Sequence, residues 1–245
     1  MKLRAVLIFF AVGLCFGAAG PAVAQELSLS LGEGASLSGR SVQLILLITV
    51  LSVAPGLAIM VTCFPFLVTV LSILRQAIGL QQSPPNMLLV SLAMFLTYFI
   101  MEPVFMQAWR DGIEPLTREE LTMAEAFPKV ADPFRSFMLG RIDPETFASI
   151  ASLRPEMASL SPNADAPLSV LVPSFMLSEV ARAFQVGFLI FIPFLIIDLV
   201  VAAILMSMGM MMVPPAVVAL PFKLSFFVLA DGWRLLTEGL VRSYF

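Results

Sequence analysis

The sequence contains no histidine and only two cysteines, Cys15 and Cys63. Without histidine, the chain lacks the commonest metal ligand, the usual general base and the usual axial ligand of haem. Cys15 lies in a leader-like segment, so the remaining chain cannot form an internal disulfide. No G-x-x-x-x-G-K-[ST] pattern for binding nucleotide phosphates is present either. These absences argue against an enzyme, and we predict no cofactor and no metal site.

Charge is also scarce. Charged residues make up 13% of the 245 residues and apolar residues 59%, whereas soluble domains average about 25% charged residues. The mean hydropathy is +0.97. The net charge of −3 is small, so the chain offers no basic surface for nucleic acid. This composition indicates an integral membrane protein.

Residues 1–24 have the pattern of a secretory signal peptide. Two basic residues precede an almost wholly apolar run that ends at Ala18, and Ala22-Val23-Ala24 supplies a small-residue cleavage site. We predict cleavage after this site, which leaves residues 25–41 as a flexible periplasmic N-terminus. The alternative is an uncleaved first membrane anchor, which Pro21 disfavours.

Four apolar stretches of about 20 residues follow, long enough to cross about 30 Å of hydrocarbon as helices. They run from Val42 to Phe66, Met87 to Met106, Phe184 to Met206 and Val217 to Leu236. We therefore predict an all-α membrane protein with two proline-broken helical hairpins, over residues 42–106 and 171–245. Because proline frees helix carbonyls that need neighbouring protein in lipid, the helices are expected to pack against other subunits.

Residues 107–170 differ from the rest, with six basic and ten acidic residues and many prolines. They predict a small water-exposed helical domain between the hairpins. Asp132-Pro133, Asp143-Pro144 and Ser161-Pro162 place proline where a helix can begin, and Thr117 to Glu120 resembles a capping box.

The signal peptide sets the expected orientation. It places the N-terminus, residues 107–170 and the C-terminus on the periplasmic side. The positive-inside rule does not support this cleanly, because Arg75 is the one basic residue in the two expected inner loops, 75–86 and 207–215. A domain as long as 107–170 translocates largely regardless of its charge.

Charges in the C-terminal half suggest the register of the second hairpin. A charge at mid-bilayer costs roughly 2.5–3.5 kcal/mol, so such residues are usually paired. If the hairpin tip lies near residues 210–211, oppositely charged residues fall level with one another. The level pairs are Asp198 with Lys223, Glu179 with Arg242, and Arg182 with Glu238. Asp231 is a further intramembrane or interface charge of this half. Coincidence, pairing between subunits and simple i, i+3 support of Glu179 by Arg182 remain alternatives.

The segment Met206-Ser207-Met208-Gly209-Met210-Met211-Met212-Val213-Pro214-Pro215 joins the third and fourth apolar stretches. It holds five of the 15 methionines. Methionine is flexible and polarizable and fills irregular apolar space. Gly209 loosens the backbone, and Pro214 and Pro215 stop a helix arriving from the N-terminal side, so we predict these three residues as the loop hinge. The segment could seal an opening, or it could be a turn without a special role.

Several ordered blocks of the C-terminal half are characteristic of one family. The blocks are Val172-Pro173-Ser174-Phe175, then Glu179, Ala183 to Phe188, Phe191 to Val200, Gly209 to Pro215, Ala219 to Lys223 and Asp231-Gly232-Trp233. Together they resemble the FliP family, core subunits of the flagellar type III protein export gate, whose injectisome counterpart is SctR. The resemblance is dense over residues 170–240 and extends loosely to Pro84-Pro85-Asn86. Residues 107–165 match in length and polarity alone.

The resemblance implies an assembly that spacing alone does not predict. Members form a pentamer with FliQ-like and FliR-like subunits, a helical cone around an export channel. Further implied partners are other export-gate and basal-body proteins, unfolded proteins in transit and the membrane. The implied location is the bacterial inner membrane and flagellar basal body. The methionine loop corresponds to a pore gasket, which maps onto Met206, Met208, Met210, Met211 and Met212.

The leading interpretation is a non-enzymatic channel subunit that passes unfolded flagellar proteins across the inner membrane. An apolar constriction blocks ions by dewetting, and flexible thioether side chains can yield around a passing polypeptide. One alternative is a proton or small-solute transporter subunit, which would function without FliQ-like and FliR-like partners. Another is a purely structural scaffold, whose methionine-loop variants would secrete normally.

Overall fold

The computed structural model describes residues 37–80, 83–210 and 212–245. The predicted signal peptide, residues 25–36 of the predicted flexible N-terminus, and Met211 lie outside the described residues. The described residues divide into two units, one ending at Thr49 and the other spanning Val50–Phe245. Within the described ranges every regular element is helical, which confirms the all-α prediction.

Helices α1 (Leu37–Met60) and α2 (Phe64–Ile78) replace the single expected stretch from Val42 to Phe66. The chain turns at residues 61–63, where the Thr62 hydroxyl donates to the Ile59 carbonyl at 2.8 Å. Pro65 lies in the first turn of α2, a position that suits its fixed φ and missing N–H. The expected inner loop from residue 75 is therefore helical as far as Ile78.

Helix α3 (Asn86–Ala108) runs through Pro103 into a five-residue π-helical segment, Trp109–Ile113, and a short α4 (Glu114–Thr117). Gly112 permits a close packing contact within the π-helical segment. A Cβ atom there would lie 2.4 Å from Val130 Cγ2 and 3.0 Å from the Val130 backbone nitrogen. The wider helical turn thus coincides with the contact to the helix that carries Val130.

The polar segment forms helices α5 (Met123–Leu139) and α6 (Pro144–Ser152) and a 3₁₀ turn, Pro155–Met157. The predicted start at Asp143-Pro144 is confirmed. The predicted start at Asp132-Pro133 is wrong, because α5 continues through it and is held by packing on both sides of the proline, which overrides the local preference. The predicted start at Ser161-Pro162 is also wrong, because residues 162–166 form bends and turns and the next helix begins only at Leu168. The capping box is also elsewhere: Thr122 and Glu125 form it, not Thr117 to Glu120.

The C-terminal half consists of α7 (Leu168–Ser207), α8 (Pro215–Leu229) and α9 (Gly232–Arg242). Helix α7 has 40 residues and is about 60 Å long, and it begins well before the apolar stretch that predicted it. The expected fourth stretch is broken, because α8 and α9 meet at 62°. Asp231 makes this bend with a left-handed φ of 50°.

Two described helical stretches are long and apolar enough to cross a membrane, Asn86–Thr117 and Leu168–Ser207. The bent α8–α9 pair adds a third if it counts as one span. The expectation of four spans is therefore supported in part. The first expected span is interrupted at residues 61–63, and α2 is too short by the usual measure of about 20 residues.

Helix α2 lies at the centre of the unit Val50–Phe245. Its buried residues recur along one broad helical face, the pattern of a helix that packs one side against its neighbours: Phe66, Leu67, Val70, Leu71, Leu74, Ala77 and Ile78. They pack against α3 and α7. At Gly187 of α7 an added Cβ would lie 2.4 Å from Ile73 Cδ1, so glycine sets the close approach of α7 to α2.

Candidate functional site

The methionine loop starts with a defined helix end. Gly209 has φ +75°. Its N–H donates to the Met206 carbonyl at 3.0 Å, and the Met210 N–H donates to the Leu205 carbonyl at 2.9 Å. These two hydrogen bonds and the left-handed glycine form a Schellman motif. Gly209 therefore terminates α7 at a fixed position, a more definite role than the loosening of the backbone predicted for it.

The other two predicted hinge residues start the next helix. Pro214 is the N-cap of α8 and Pro215 its first residue. Proline suits the first helical turn, because the N–H it lacks would have no helical partner there. The loop between α7 and α8 is consequently short, and both of its ends are set by backbone geometry.

The four loop methionines that the structure describes have their side chains on the outside of the chain. Met206, Met208, Met210 and Met212 are all exposed, from 42% for Met210 to 97% for Met212. Met208 and Met210 also line an apolar groove between α7 and α8. Fully burying one such side chain contributes roughly 1.5–3 kcal/mol. The loop therefore presents several thioether groups whose burial would stabilise a contact with further apolar surface.

One predicted ion pair joins the two helices that flank the loop, α7 and α8. Lys223 Nζ lies 2.6 Å from Asp198 Oδ2 and also donates to the Ala77 carbonyl at 3.0 Å. Lys223 is 5% exposed. The prediction that the α7–α8 hairpin brings Asp198 and Lys223 to the same height is confirmed within one chain. Asp198 Oδ1 is buried without a hydrogen-bond partner in the described residues.

The other two predicted pairs are not formed. Glu179 is fully buried and pairs with Arg141 at 3.0 Å, while Arg182 stands 3.9 Å from it as an i, i+3 neighbour. Arg242 lies 3.9 Å from Glu238. The 62° bend between α8 and α9 explains the change, because a straight-helix register no longer holds beyond it.

The C-terminus nevertheless reaches the expected level of α7. The Tyr244 hydroxyl donates to Glu179 Oε2. Burial, and next the Glu179 carboxylate, raise the pKa of Tyr244 far above its usual range, so this phenol stays protonated and can donate. The hairpin register thus placed the end of the chain beside Glu179 but named the wrong residue.

Arg141 completes this cluster and was not predicted. Its Nη1 donates to the Ser243 carbonyl at 2.7 Å, and its guanidinium carbon lies 3.9 Å from the Tyr244 ring centroid. Arg141 follows α5 in the polar segment, so a register argument confined to the apolar stretches could not find it. Together Arg141, Glu179 and Tyr244 join the polar segment, α7 and the C-terminus.

Asp231 belongs to a different setting. It is exposed at the α8–α9 bend, and Arg234 stands 3.5 Å from it and 3.1 Å from Glu238. Exposed ion pairs of this kind contribute little to stability. Among the described residues, no group of three or more His, Cys, Asp or Glu side chains is placed to hold a metal ion.

The chain is similar to known proteins over most of its length. A family model described as the FliP family matches residues 47–240. The flagellar biosynthetic protein FliP of Caulobacter vibrioides is 48% identical over 245 residues, which cover 100% of this chain and 92% of the relative. The protein of that name from Rhizobium meliloti is 50% identical over 201 residues, 81% of each chain. The Aquifex aeolicus protein is 42% identical over the full length of both.

Proposed function

Because the chain belongs to the FliP family, whose members include proteins named for flagellar biosynthesis, we propose that it is a channel-forming subunit of the flagellar protein export gate. In this proposal unfolded flagellar proteins cross the inner membrane through a channel that several copies build with FliQ-like and FliR-like subunits. The methionine loop seals that channel when no substrate is present. The chain acts as a conduit and catalyses no reaction.

The exposed methionines at the α7–α8 tip carry this proposal. The Schellman motif and Pro214-Pro215 hold the loop backbone in place, while the four described methionine side chains remain uncovered in one chain. With about four methionines from each of five copies, the constriction would hold about twenty thioethers, enough to form a continuous apolar ring that excludes water and ions. Methionine side chains are flexible enough to repack around a passing chain of any sequence.

The buried charges favour a supporting role over a transport site. Lys223 is paired with Asp198, and Glu179 is paired with Arg141 inside the same chain. A proton or small-solute transporter would need such groups free to bind its cargo. We therefore assign these charges to the framework that holds the hairpin. In the proposed orientation, the N-terminus, residues 107–170 and the C-terminus lie on the periplasmic side.

The test replaces three exposed loop methionines, Met208, Met210 and Met212, together by alanine. The matched control replaces three exposed methionines elsewhere, Met87, Met94 and Met123, by alanine. Purified complexes reconstituted in lipid vesicles are measured for ionic conductance without substrate, and cells are measured for secretion of flagellar proteins. We expect the loop variant to conduct ions while the control stays closed.

Two results would count against the proposal. Normal conductance together with normal secretion in the loop variant would show that the methionines seal nothing. An equal leak in the control variant would show that loss of apolar surface anywhere opens the assembly, and the loop would then have no special role.

A further inference from the structure

Helix α2 ends under an unusual cap. The last four carbonyls of any α-helix lack partners within the helix. Helix α2 ends at Ile78, followed by Gly79 with φ +90°, whose N–H donates to the Gln76 carbonyl at 3.0 Å. The neighbouring Ala77 carbonyl accepts instead from Lys223 Nζ, which is 146 residues away in the sequence. A side chain of α8 therefore satisfies the end of α2.

An ammonium group suits this position for two reasons. It has three N–H donors, so it can bond to the Ala77 carbonyl and to Asp198 Oδ2 at once. A cation is also favoured at a helix C-terminus, where the partial charge of the helix dipole is negative. Since Lys223 is almost completely buried, water cannot easily take over either bond. One group thus connects α2, α7 and α8.

Apolar packing surrounds this connection on the same helices. Leu74, Ala77 and Ile78 of α2 form a buried cluster with Phe194 of α7 and Phe227 of α8. An added Cβ at Gly79 would lie 3.7 Å from Leu220 Cδ1, so the end of α2 also contacts α8 beside Lys223. The apolar contacts hold the helices together, while the two directed bonds of Lys223 fix their relative position.

Lys223 is also close to the methionine loop along the hairpin. It lies eight residues after Pro215, about 12 Å along α8 at 1.5 Å per residue. The loop forms the tip of the same hairpin, so any shift of the hairpin against α2 moves the loop.

We propose that Lys223 is a positioning residue for the methionine loop. By capping α2 through the Ala77 carbonyl while pairing with Asp198, it sets where the hairpin tip stands relative to α2. This inference rests on the proposed sealing function of the loop.

The test separates the cap from the ion pair. K223M combined with D198L removes both bonds without leaving a lone buried charge, the usual cause of misfolding at such sites. D198N is the matched control, because Lys223 keeps its bond to the Ala77 carbonyl and an amide oxygen to pair with. K223Q combined with D198N is a milder double variant, for use if the first one does not assemble. Its glutamine side chain is too short to reach the Ala77 carbonyl.

Hydrogen exchange of the purified complex is measured for peptides covering residues 74–80 and 206–216, together with ionic conductance without substrate. The double variants are expected to exchange at least about tenfold faster at the end of α2, because a charge-assisted hydrogen bond is lost there. They should also exchange faster in the loop and conduct ions. D198N leaves the Ala77 bond in place, so it should exchange more slowly at the end of α2 than either double variant.

The inference is overturned if a double variant exchanges like the native complex at residues 74–80, or if D198N exchanges as fast there as the double variants. It is also overturned if the α2 end loosens while loop exchange and conductance stay native. A failure of the sealing function is recognised separately, because the triple methionine variant with native Lys223 would then not leak.

Discussion

The cluster around Glu179 gives a prediction whose size follows from the structure. Arg141→Ala removes the cation that lies 3.0 Å from Glu179 and the bond to the Ser243 carbonyl. The Glu179 carboxylate is fully buried and would keep the Tyr244 hydroxyl and the more distant Arg182. Removing one partner of a buried ion pair costs about 3–5 kcal/mol, a large share of the 5–15 kcal/mol that stabilises a typical domain.

Arg182→Ala is the matched control. Arg182 belongs to the same ion cluster, but its side chain is 37% exposed and its nitrogen lies 3.9 Å from Glu179. Partly exposed pairs contribute about 1 kcal/mol or less. Each variant therefore removes one positively charged neighbour of the Glu179 carboxylate. We expect the loss of unfolding free energy to be at least about threefold larger for Arg141→Ala.

The assay is the free energy of unfolding of the full chain in detergent, titrated with sodium dodecyl sulfate and followed by the fluorescence of Trp109 and Trp233. A cost of Arg141→Ala within about 1 kcal/mol of that of Arg182→Ala would refute the reasoning. Arg141→Met with Glu179→Leu should recover much of the loss, since no lone charge stays buried. If it does not recover, the loss comes from the packing of Arg141 on Tyr244 or from the Tyr244 hydroxyl, which loses its acceptor in this variant.

Two further predictions concern single positions. Gly187→Ala forces a Cβ within 2.4 Å of Ile73 Cδ1 and should lower the free energy of unfolding by about 1–3 kcal/mol. The control, Gly239→Ala, places its Cβ in open space and should be neutral or stabilising. Equal free energies of unfolding for the two variants would contradict the packing argument. Hydrogen bonds from Thr146 lower the pKa of Asp143, the N-cap of α6, so its stabilisation is complete above its unfolded pKa and is lost as pH falls through the folded pKa. Asp143→Asn should flatten the acid loss of helicity measured by circular dichroism, and an unchanged acid profile would show that the cap does not titrate as described.

The elements predicted well from sequence are those set by local chemistry. Asp143-Pro144 begins α6 because an aspartate N-cap and a proline in the first turn favour the same helix start. The Asp198–Lys223 pair follows from two apolar helices that must run back from a short turn. Both predictions need only a few neighbouring residues or one straight hairpin.

The elements that were missed depend on packing between distant segments. Helix α2 was expected to be the end of a span and a loop, because its burial against α3 and α7 cannot be read from hydropathy. Arg141 lies in a polar segment whose fold brings it to Glu179, 38 residues further along the chain. The bend at Asp231 depends on an aspartate in the left-handed region, a conformation for which sequence patterns usually predict glycine.

The most direct test of the account is the ionic conductance of vesicles that contain the assembled, substrate-free complex. With the native loop the vesicles should hold an ion gradient, and with alanine at residues 208, 210 and 212 the gradient should collapse. A gradient that persists unchanged in the alanine variant, with the complex fully assembled, would contradict the claim that these thioether side chains close the channel.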